Sequence, residues 1–135
     1  DSSGDELRIS ADQIVSTEEK DTAFIKSAVL EVFSDRGTNL FLSSDTALLN
    51  NGKKNLIFSK NVILRTDDEM EITAPEIFTA LDDTLLKADG PVKGLYGSNR
   101  IEAGKLTIHR EDKSSNLVIS FTKGVKMVYN VSQSF

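Results

Sequence analysis

Four copies of one pattern, spaced about 30 residues apart, make up most of the sequence. In each copy a short apolar run ends on a small residue, and these residues are Ala11, Ser44, Ala74 and Ala103. A second apolar run follows with a valine inside it, and these valines are Val29, Val62, Val92 and Val125. The valine stands 18 positions after the small residue in three copies and 22 in the last. Such a period is typical of supersecondary units that stack on one another. It predicts a surface shared among repeats rather than one specialised catalytic loop.

The repeated units are predicted to be β-strands. Segments 69–74 and 125–129 alternate polar and apolar side chains, as strands do. The segment 23–33 also suits a helix, but the aligned segments have strand character, so we expect a strand there. Turn residues are expected to separate the strands at 50–52, 67–68, 82–83, 89–91, 97–99 and 113–115. Pro75 is expected just past a strand end and Pro91 in a turn, where a sheet tolerates a missing donor.

When the copies are aligned on their valines, apolar residues recur at positions an even number of residues from the valine. Four positions before the valine stand Ile25, Phe58, Ala88 and Phe121, and two positions after it stand Glu31, Leu64, Gly94 and Met127. Equal parity places these side chains on one face of the stack. That face is either a dry core or the lining of a gap for a long apolar ligand. Glu31 breaks its column, which indicates either a bulge or a solvent-exposed end.

Composition and charge limit the classes of function open to this chain. A chain of 135 residues fits one domain with a continuous core. The net charge of −5 argues against binding a phosphate backbone. There is no cysteine, so disulfide and thiolate metal sites are excluded, and no apolar run is long enough to span a bilayer. The charge is uneven, with +4 from residue 85 onward and −9 before it. This asymmetry is either a scatter of solvated charges or a sign that the two ends meet different partners.

The residue types needed for catalysis are scarce. His109 is the only histidine, and it stands in a charged stretch that suits an exposed bystander. The acidic cluster Asp67, Asp68 and Glu69 lacks the spacing of a calcium loop and is predicted to be a hairpin tip. Gly94 and Gly97 do not form a dinucleotide fingerprint. We therefore expect no enzyme activity, no metal and no cofactor.

The last two copies resemble a known family. The segments 89–94 and 101–106, with Gly97 between them, are similar to the LptC family, and the closing segment 121–129 continues the likeness. The earlier segments 9–12 and 72–75 resemble the wider superfamily that also contains LptA and the N-terminal domain of LptD. The resemblance extends from about Leu7 to Tyr129, although its motifs are short.

The resemblance implies an all-β fold, a twisted antiparallel β-jelly roll whose two facing sheets form a V around lipid acyl chains. It implies a role in the periplasmic lipopolysaccharide bridge, in which lipid is received from the inner-membrane ATP-binding-cassette transporter (LptB, LptF and LptG) and passed to LptA. Such proteins are normally anchored to the inner membrane by an N-terminal helix, which is absent from this sequence. The alternatives are an LptA-like soluble bridge protein and a structural β-stack without a lipid groove.

Three regions are expected along the chain: a linker or expression scar at 1–6, the jelly-roll domain at 7–130 and a tail at 131–135. The inward parity predicts a lipid groove lined by Ile25, Phe58, Val62, Leu64, Ile72, Val92, Ile101, Phe121, Val125, Met127 and Tyr129. Two strands are expected at free edges. The edge toward the transporter contains Leu7, Ile9 and Ala11, and the edge toward LptA contains Val125, Met127 and Tyr129.

Overall fold

A computed structural model describes residues 5–34, 38–81, 85–110 and 117–129. The described residues contain ten strands and no helix, which confirms the all-β prediction and the strand at 23–33. The strands are β1 (Asp5–Ser10), β2 (Gln13–Ser16), β3 (Thr22–Ser34), β4 (Leu40–Asn50), β5 (Asn55–Thr66), β6 (Met70–Ala80), β7 (Leu85–Tyr96), β8 (Asn99–Arg110), β9 (Leu117–Thr122) and β10 (Lys126–Val128).

All of these strands belong to one antiparallel sheet that follows chain order from β3 to β8. At one end both β1 and β2 pair with β3, and at the other end both β9 and β10 pair with β8. The sheet does not close on itself, because the described strands leave β1 and β2 at one end and β9 and β10 at the other. Among the described residues, each end strand therefore has no strand on its outer side, and that side can accept another strand.

The six long strands have an irregularity near their middle that divides the sheet into two halves. The part of the sheet bounded by β1 and β10 is called the first half-sheet. The part bounded by β2 and β9 is called the second half-sheet. In β5, for example, residues 55–59 pair in the second half-sheet and residues 63–66 pair in the first. The buried side chains of both halves form one apolar cluster, so the half-sheets pack against each other.

Left-handed backbone conformations mark this dividing line at the period of the repeat. Ser27 in β3 has φ 54°, Lys60 and Asn61 in β5 have φ 67° and 55°, and Gly90 in β7 has φ 92°. Lys123 and Gly124, between β9 and β10, have φ 64° and 78°. Each repeat valine follows one of these sites within two residues. The sequence repeat is thus a bent hairpin, with the small residue at the bend of one arm and the valine just past the bend of the other.

The bends overturn two expectations about strand ends. Pro75 lies inside β6 and Pro91 lies inside β7, not at a strand end or in a turn. The register shifts between Thr73 and Phe78 and between Asp89 and Val92, so the ladder is interrupted where each proline lacks an N–H. The turns expected at 50–52, 67–68 and 97–99 do separate strands, whereas 82–83 and 113–115 lie outside the described residues.

The bend in β3 also explains Glu31. Before Ser27 the inward residue is Ile25, but after it Ala28, Leu30 and Val32 are the buried side chains. The parity slips by one residue, so Glu31 and the first repeat valine are not part of the inner column in this copy. In β5 and β7 the parity is kept across the bend, because four residues separate Phe58 from Val62 and Ala88 from Val92. The parity therefore does slip at this end of the molecule, but through the left-handed Ser27 and not through a bulge, because the β3–β4 register is the same on both sides of Ser27.

The bend in the middle of β5 allows a test of how much free energy its left-handed backbone conformation costs. Asn61 is exposed and left-handed, and its Nδ2 donates a hydrogen bond of 2.7 Å to Asp45 Oδ2. We expect Asn61→Ala to lower the free energy of unfolding by about 1–2 kcal/mol, because alanine tolerates this conformation poorly. Asn61→Gly is expected to be milder, because glycine adopts it freely. Urea unfolding of both variants provides the measurement. An equal loss in the two variants would assign the effect to the hydrogen bond.

A second test concerns the attachment of the C-terminal strands. The Gly104 N–H donates a hydrogen bond of 2.8 Å to Lys123 O, and a Cβ on Gly104 would lie 2.7 Å from that oxygen. We expect Gly104→Ala to destabilise the protein by about 1–3 kcal/mol and to speed hydrogen exchange in β10. Gly52→Ala is the matched control, because its Cβ would make only ordinary contacts from 3.4 Å outward. Protection of β10 that is unchanged in Gly104→Ala would contradict this account.

Candidate apolar cleft and free sheet edges

An apolar cleft of about 320 Å³ opens beside the last strand. It lies against the five strands from β6 to β10, and its walls are almost wholly apolar. The residues that line it are Met70, Gly94, Leu95, Tyr96, Asn99, Arg100, Ile101, Phe121, Met127 and Tyr129. A site of this size and character suits an apolar chain better than a polar metabolite.

The cleft floor is a row of paired residues on the inner face of the first half-sheet. Gly94 pairs with Ile72 on one side and with Ile101 on the other, and Ile101 pairs with Met127. Phe121 comes from β9 in the second half-sheet, where it pairs with Leu106. The cleft therefore lies where the two half-sheets meet at the C-terminal end.

Gly94 is buried, and a side chain would not fit in its place. A Cβ built there would lie 2.8 Å from Ile101 Cγ2, 3.5 Å from Phe121 Cζ and 3.7 Å from Ile72 Cγ1. Its φ is not in the left-handed range, unlike that of Gly90, Gly97 and Gly124. The backbone does not require a glycine here, so the neighbouring side chains do.

The structure places the predicted groove residues in three environments. Six of them are buried, with at most 2% exposure, and belong to one apolar cluster that we call the buried track: Ile25, Phe58, Val62, Leu64, Ile72 and Val92. Ile101 and Phe121 are half-buried in the cleft. Val125, Met127 and Tyr129 are exposed by 48%, 62% and 70%. Of these three, Met127 and Tyr129 line the cleft and Val125 does not.

Sequence reasoning missed six of the residues that line the cleft, namely Met70, Gly94, Leu95, Tyr96, Asn99 and Arg100. One of them carried a signal. Gly94 stands in the column two positions after the repeat valine, where Glu31, Leu64 and Met127 stand in the other copies. A gap in an otherwise bulky column indicates a local space. Met70 and Tyr96 are a cross-strand pair, which only the register reveals.

The expected edge strands lie at the two ends of the sheet. In β1, Ile9 is 39% exposed and Leu7 is half-buried, and Ala11 follows the strand. The second N-terminal edge strand, β2, was not predicted, although it exposes Ile14 by 57% and Val15 by 45%. At the other end β10 carries Met127, with Val125 and Tyr129 beside it, and β9 forms the edge of the second half-sheet.

The two ends carry opposite charge. Exposed acidic residues near the N-terminal edge outnumber the basic residues Arg8, Lys20 and Lys26, and they are Glu6, Asp12, Glu18, Glu19 and Asp21. Basic residues near the C-terminal edge are Arg100, Lys105, Lys123 and Lys126, with Glu102 among them.

On β1, Arg8 Nε donates a 2.6 Å hydrogen bond to Glu6, which raises the pKa of Arg8, and the guanidinium lies over the Phe33 ring.

The described residues show no arrangement for metal chemistry. No group of three or more potential ligands comes together among them. His109 lies half-buried in β8, opposite Leu85. The cluster Asp67, Asp68 and Glu69 forms the tip of the β5–β6 hairpin, as predicted, where Thr66 Oγ1 hydrogen-bonds Asp68. Within the described ranges, no helix is long and apolar enough to cross a membrane.

Comparison with known proteins bears on the fold and the family. The chain resembles the crystal structure of LptH, the LptA homologous periplasmic component of the conserved lipopolysaccharide transport device from Pseudomonas aeruginosa. The TM-score is 0.63 at 10% identity, over 93% of this chain and 96% of that one, which confirms the jelly-roll fold. No curated protein sequence matches significantly. Residues 1–130 match the profile of the family described as lipopolysaccharide-assembly, LptC-related. The protein therefore belongs to the LptC-related family of lipopolysaccharide-assembly proteins.

Proposed function

We propose that this protein is a lipopolysaccharide-binding component of the periplasmic transport bridge, and that it holds lipid acyl chains in the cleft beside β10. The single observation that carries the proposal is an almost wholly apolar cleft that opens next to a free strand edge. Burial of an acyl chain contributes about 0.8 kcal/mol per methylene without any hydrogen bond. A bridge protein needs this kind of affinity, because its cargo must also leave.

The proposed path runs along the inner face between the half-sheets. The exposed residues Met127 and Tyr129 lie at the outer end of this path, and Ile101 and Phe121 lie deeper. The buried track continues from there through both half-sheets. In this proposal its side chains separate when lipid enters and pack together when it leaves. A continuous apolar lining offers similar affinity at each position, so no position traps the chain.

The proposed partners dock at the strand edges. The C-terminal edge, with Val125, Met127 and Tyr129, would add to a strand of LptA, and the N-terminal edge, with Leu7, Ile9 and Ala11, would add to the transporter formed by LptB, LptF and LptG. Strand addition satisfies the unpaired backbone groups of both proteins. The proposed location is the periplasm, with an N-terminal helix outside this sequence as the inner-membrane anchor. An LptA-like soluble bridge protein is the alternative within the same superfamily.

Photo-crosslinking at adjacent positions tests the cleft. Met127 lines the cleft and Val128 does not, although both lie in β10 and are exposed. A benzophenone amino acid at position 127 is expected to capture purified lipopolysaccharide, because its side chain meets the acyl chains. The same residue at position 128 is the matched control and is expected to give little product. The adducts are measured by immunoblot against lipopolysaccharide.

Two outcomes would count against the proposal in different ways. Equal capture at positions 127 and 128 would show that lipid binds the edge nonspecifically. No adduct at either position, nor at Phe121 or Ile101, would favour a structural β-stack without a lipid groove. Capture at 127 alone would support the cleft.

The charge of the C-terminal edge gives a second test. Lys123 and Lys126 are exposed beside β10, and we expect them to speed association with the strand partner. Reversal of both charges to Glu is expected to slow association with LptA about tenfold at low salt, with a smaller effect at high salt. Surface plasmon resonance at two salt concentrations provides the measurement. The control reverses Lys53 and Lys54, which are exposed in the β4–β5 turn, away from the C-terminal edge. An equal effect of the two double variants would rule out a local role.

A further inference from the structure

Phe121 separates the open cleft from the buried interior. Its Cζ lies 3.5 Å from the position of a Cβ on Gly94, so the ring tip reaches from β9 across to β7 in the first half-sheet. Beyond this contact, two residues along β7 on the same face, Val92 is fully buried and pairs with Ala103. On the other side lie the exposed residues Met127 and Tyr129. Phe121 and Gly94 therefore meet at the boundary between the two regions.

We propose that Phe121 and Gly94 form a gate, in which the Phe121 ring swings aside to let an acyl chain pass from the cleft into the buried track. The proposal rests on the lipid-binding function proposed above and assigns its control point. Gly94 is the fixed part of the gate, because it contributes no side chain to a row in which its paired neighbours are Ile72 and Ile101. Phe121 is the moving part, because its ring tip reaches the Gly94 position from an edge strand, whereas Ile101, whose Cγ2 lies closest to that position, is paired on both sides in β8.

The choice of glycine at position 94 supports this assignment. A glycine inside a strand is less stable than alanine by roughly 0.5–1 kcal/mol, and position 94 has no left-handed φ to require one. Its neighbours across the sheet, Ile72 and Ile101, are bulky. A side chain at this point would block the narrowest part of the path. The glycine at position 94 is therefore explained by the side chains around it and not by its backbone conformation.

The setting of Phe121 allows it to move. The residue is half-buried and packs against the apolar cluster from the edge. Its strand, β9, has six residues and pairs only with β8 among the described strands. One residue beyond the strand end, Lys123 begins the left-handed connection to β10. A short edge strand followed by a bend has few contacts that hold its last side chains in place.

Cysteine labelling measures passage through the gate directly, because the native chain contains no cysteine. A single Val92→Cys variant places a thiol behind the gate, and a Met127→Cys variant places one in front. The probe is dodecyl methanethiosulfonate, an apolar chain that reacts with thiols. We expect Phe121→Ala to speed labelling at position 92 about tenfold, which corresponds to about 1.4 kcal/mol. Gly94→Ala is expected to slow it by a similar factor. Labelling at position 127 is expected to stay unchanged in both backgrounds.

Controls separate gating from loss of stability. Leu117→Ala truncates another half-buried side chain of β9 that packs on the same cluster but does not line the cleft. If it speeds labelling at position 92 as much as Phe121→Ala does, the effect is general loosening and the gate is wrong. Equal labelling rates at position 92 in the native, Gly94→Ala and Phe121→Ala backgrounds would also overturn it. Should Gly94→Ala not fold, the comparison of Phe121→Ala with Leu117→Ala still decides.

The same labelling experiment with lipopolysaccharide present distinguishes failure of the gate from failure of the proposed function. Bound lipopolysaccharide is expected to protect Met127→Cys from the probe, whatever the state of the gate. Protection at position 127 with no gating at position 92 would reject the gate and keep the lipid site. Absence of protection at position 127 would reject the lipid site itself.

Discussion

The bend at the middle of the long strands is the constraint on which the rest of the structure depends. Strands of 11 to 13 residues that stayed straight would form one broad sheet with both faces open to water. Left-handed residues at Ser27, Lys60, Asn61 and Gly90 interrupt the ladder instead. The inner faces of the two half-sheets then bury each other. The same bends split the terminal strands into β1 with β2 and β9 with β10, which places two short edge strands at each end.

Packing between the half-sheets is uneven, and this unevenness creates the candidate site. Along the middle of the molecule, side chains such as Phe58 and Leu64 are fully buried. Toward the C-terminal end the inner row changes from Leu64 and Ile72 to Gly94. Gly94 contributes no side chain to this row, and Ile72, Ile101 and Phe121 close in on its position, so the inner row is thin beside the cleft. The cleft is therefore a local departure from the repeat, at the end where strand pairing is also shortest.

The repeat made much of the fold predictable, because hairpin period and parity follow from the sequence directly. The burial of Val62 and Val92 agrees with the predicted inner column. The bends were harder to predict, since Gly90 and Pro91 suit a bulge as well as a turn. Glu31 signalled the parity slip in β3, but its position at Ser27 depends on one φ angle that the side-chain pattern does not report. The cleft depends on Gly94, Ile101 and Phe121, which belong to three strands, so its shape required the register.

The cleft and the C-terminal edge are parts of one surface. Ile101 of β8 pairs with Met127 of β10, and both line the cleft. A strand added beyond β10 would continue this row by one more side chain on the inner face, because paired residues point to the same side of a sheet. Partner docking would thus lengthen the apolar floor without any rearrangement of this protein. Under the proposed function, edge pairing and lipid contact are for this reason coupled by geometry, and a polar inner-face residue on the partner strand would interrupt the path as effectively as one at Met127.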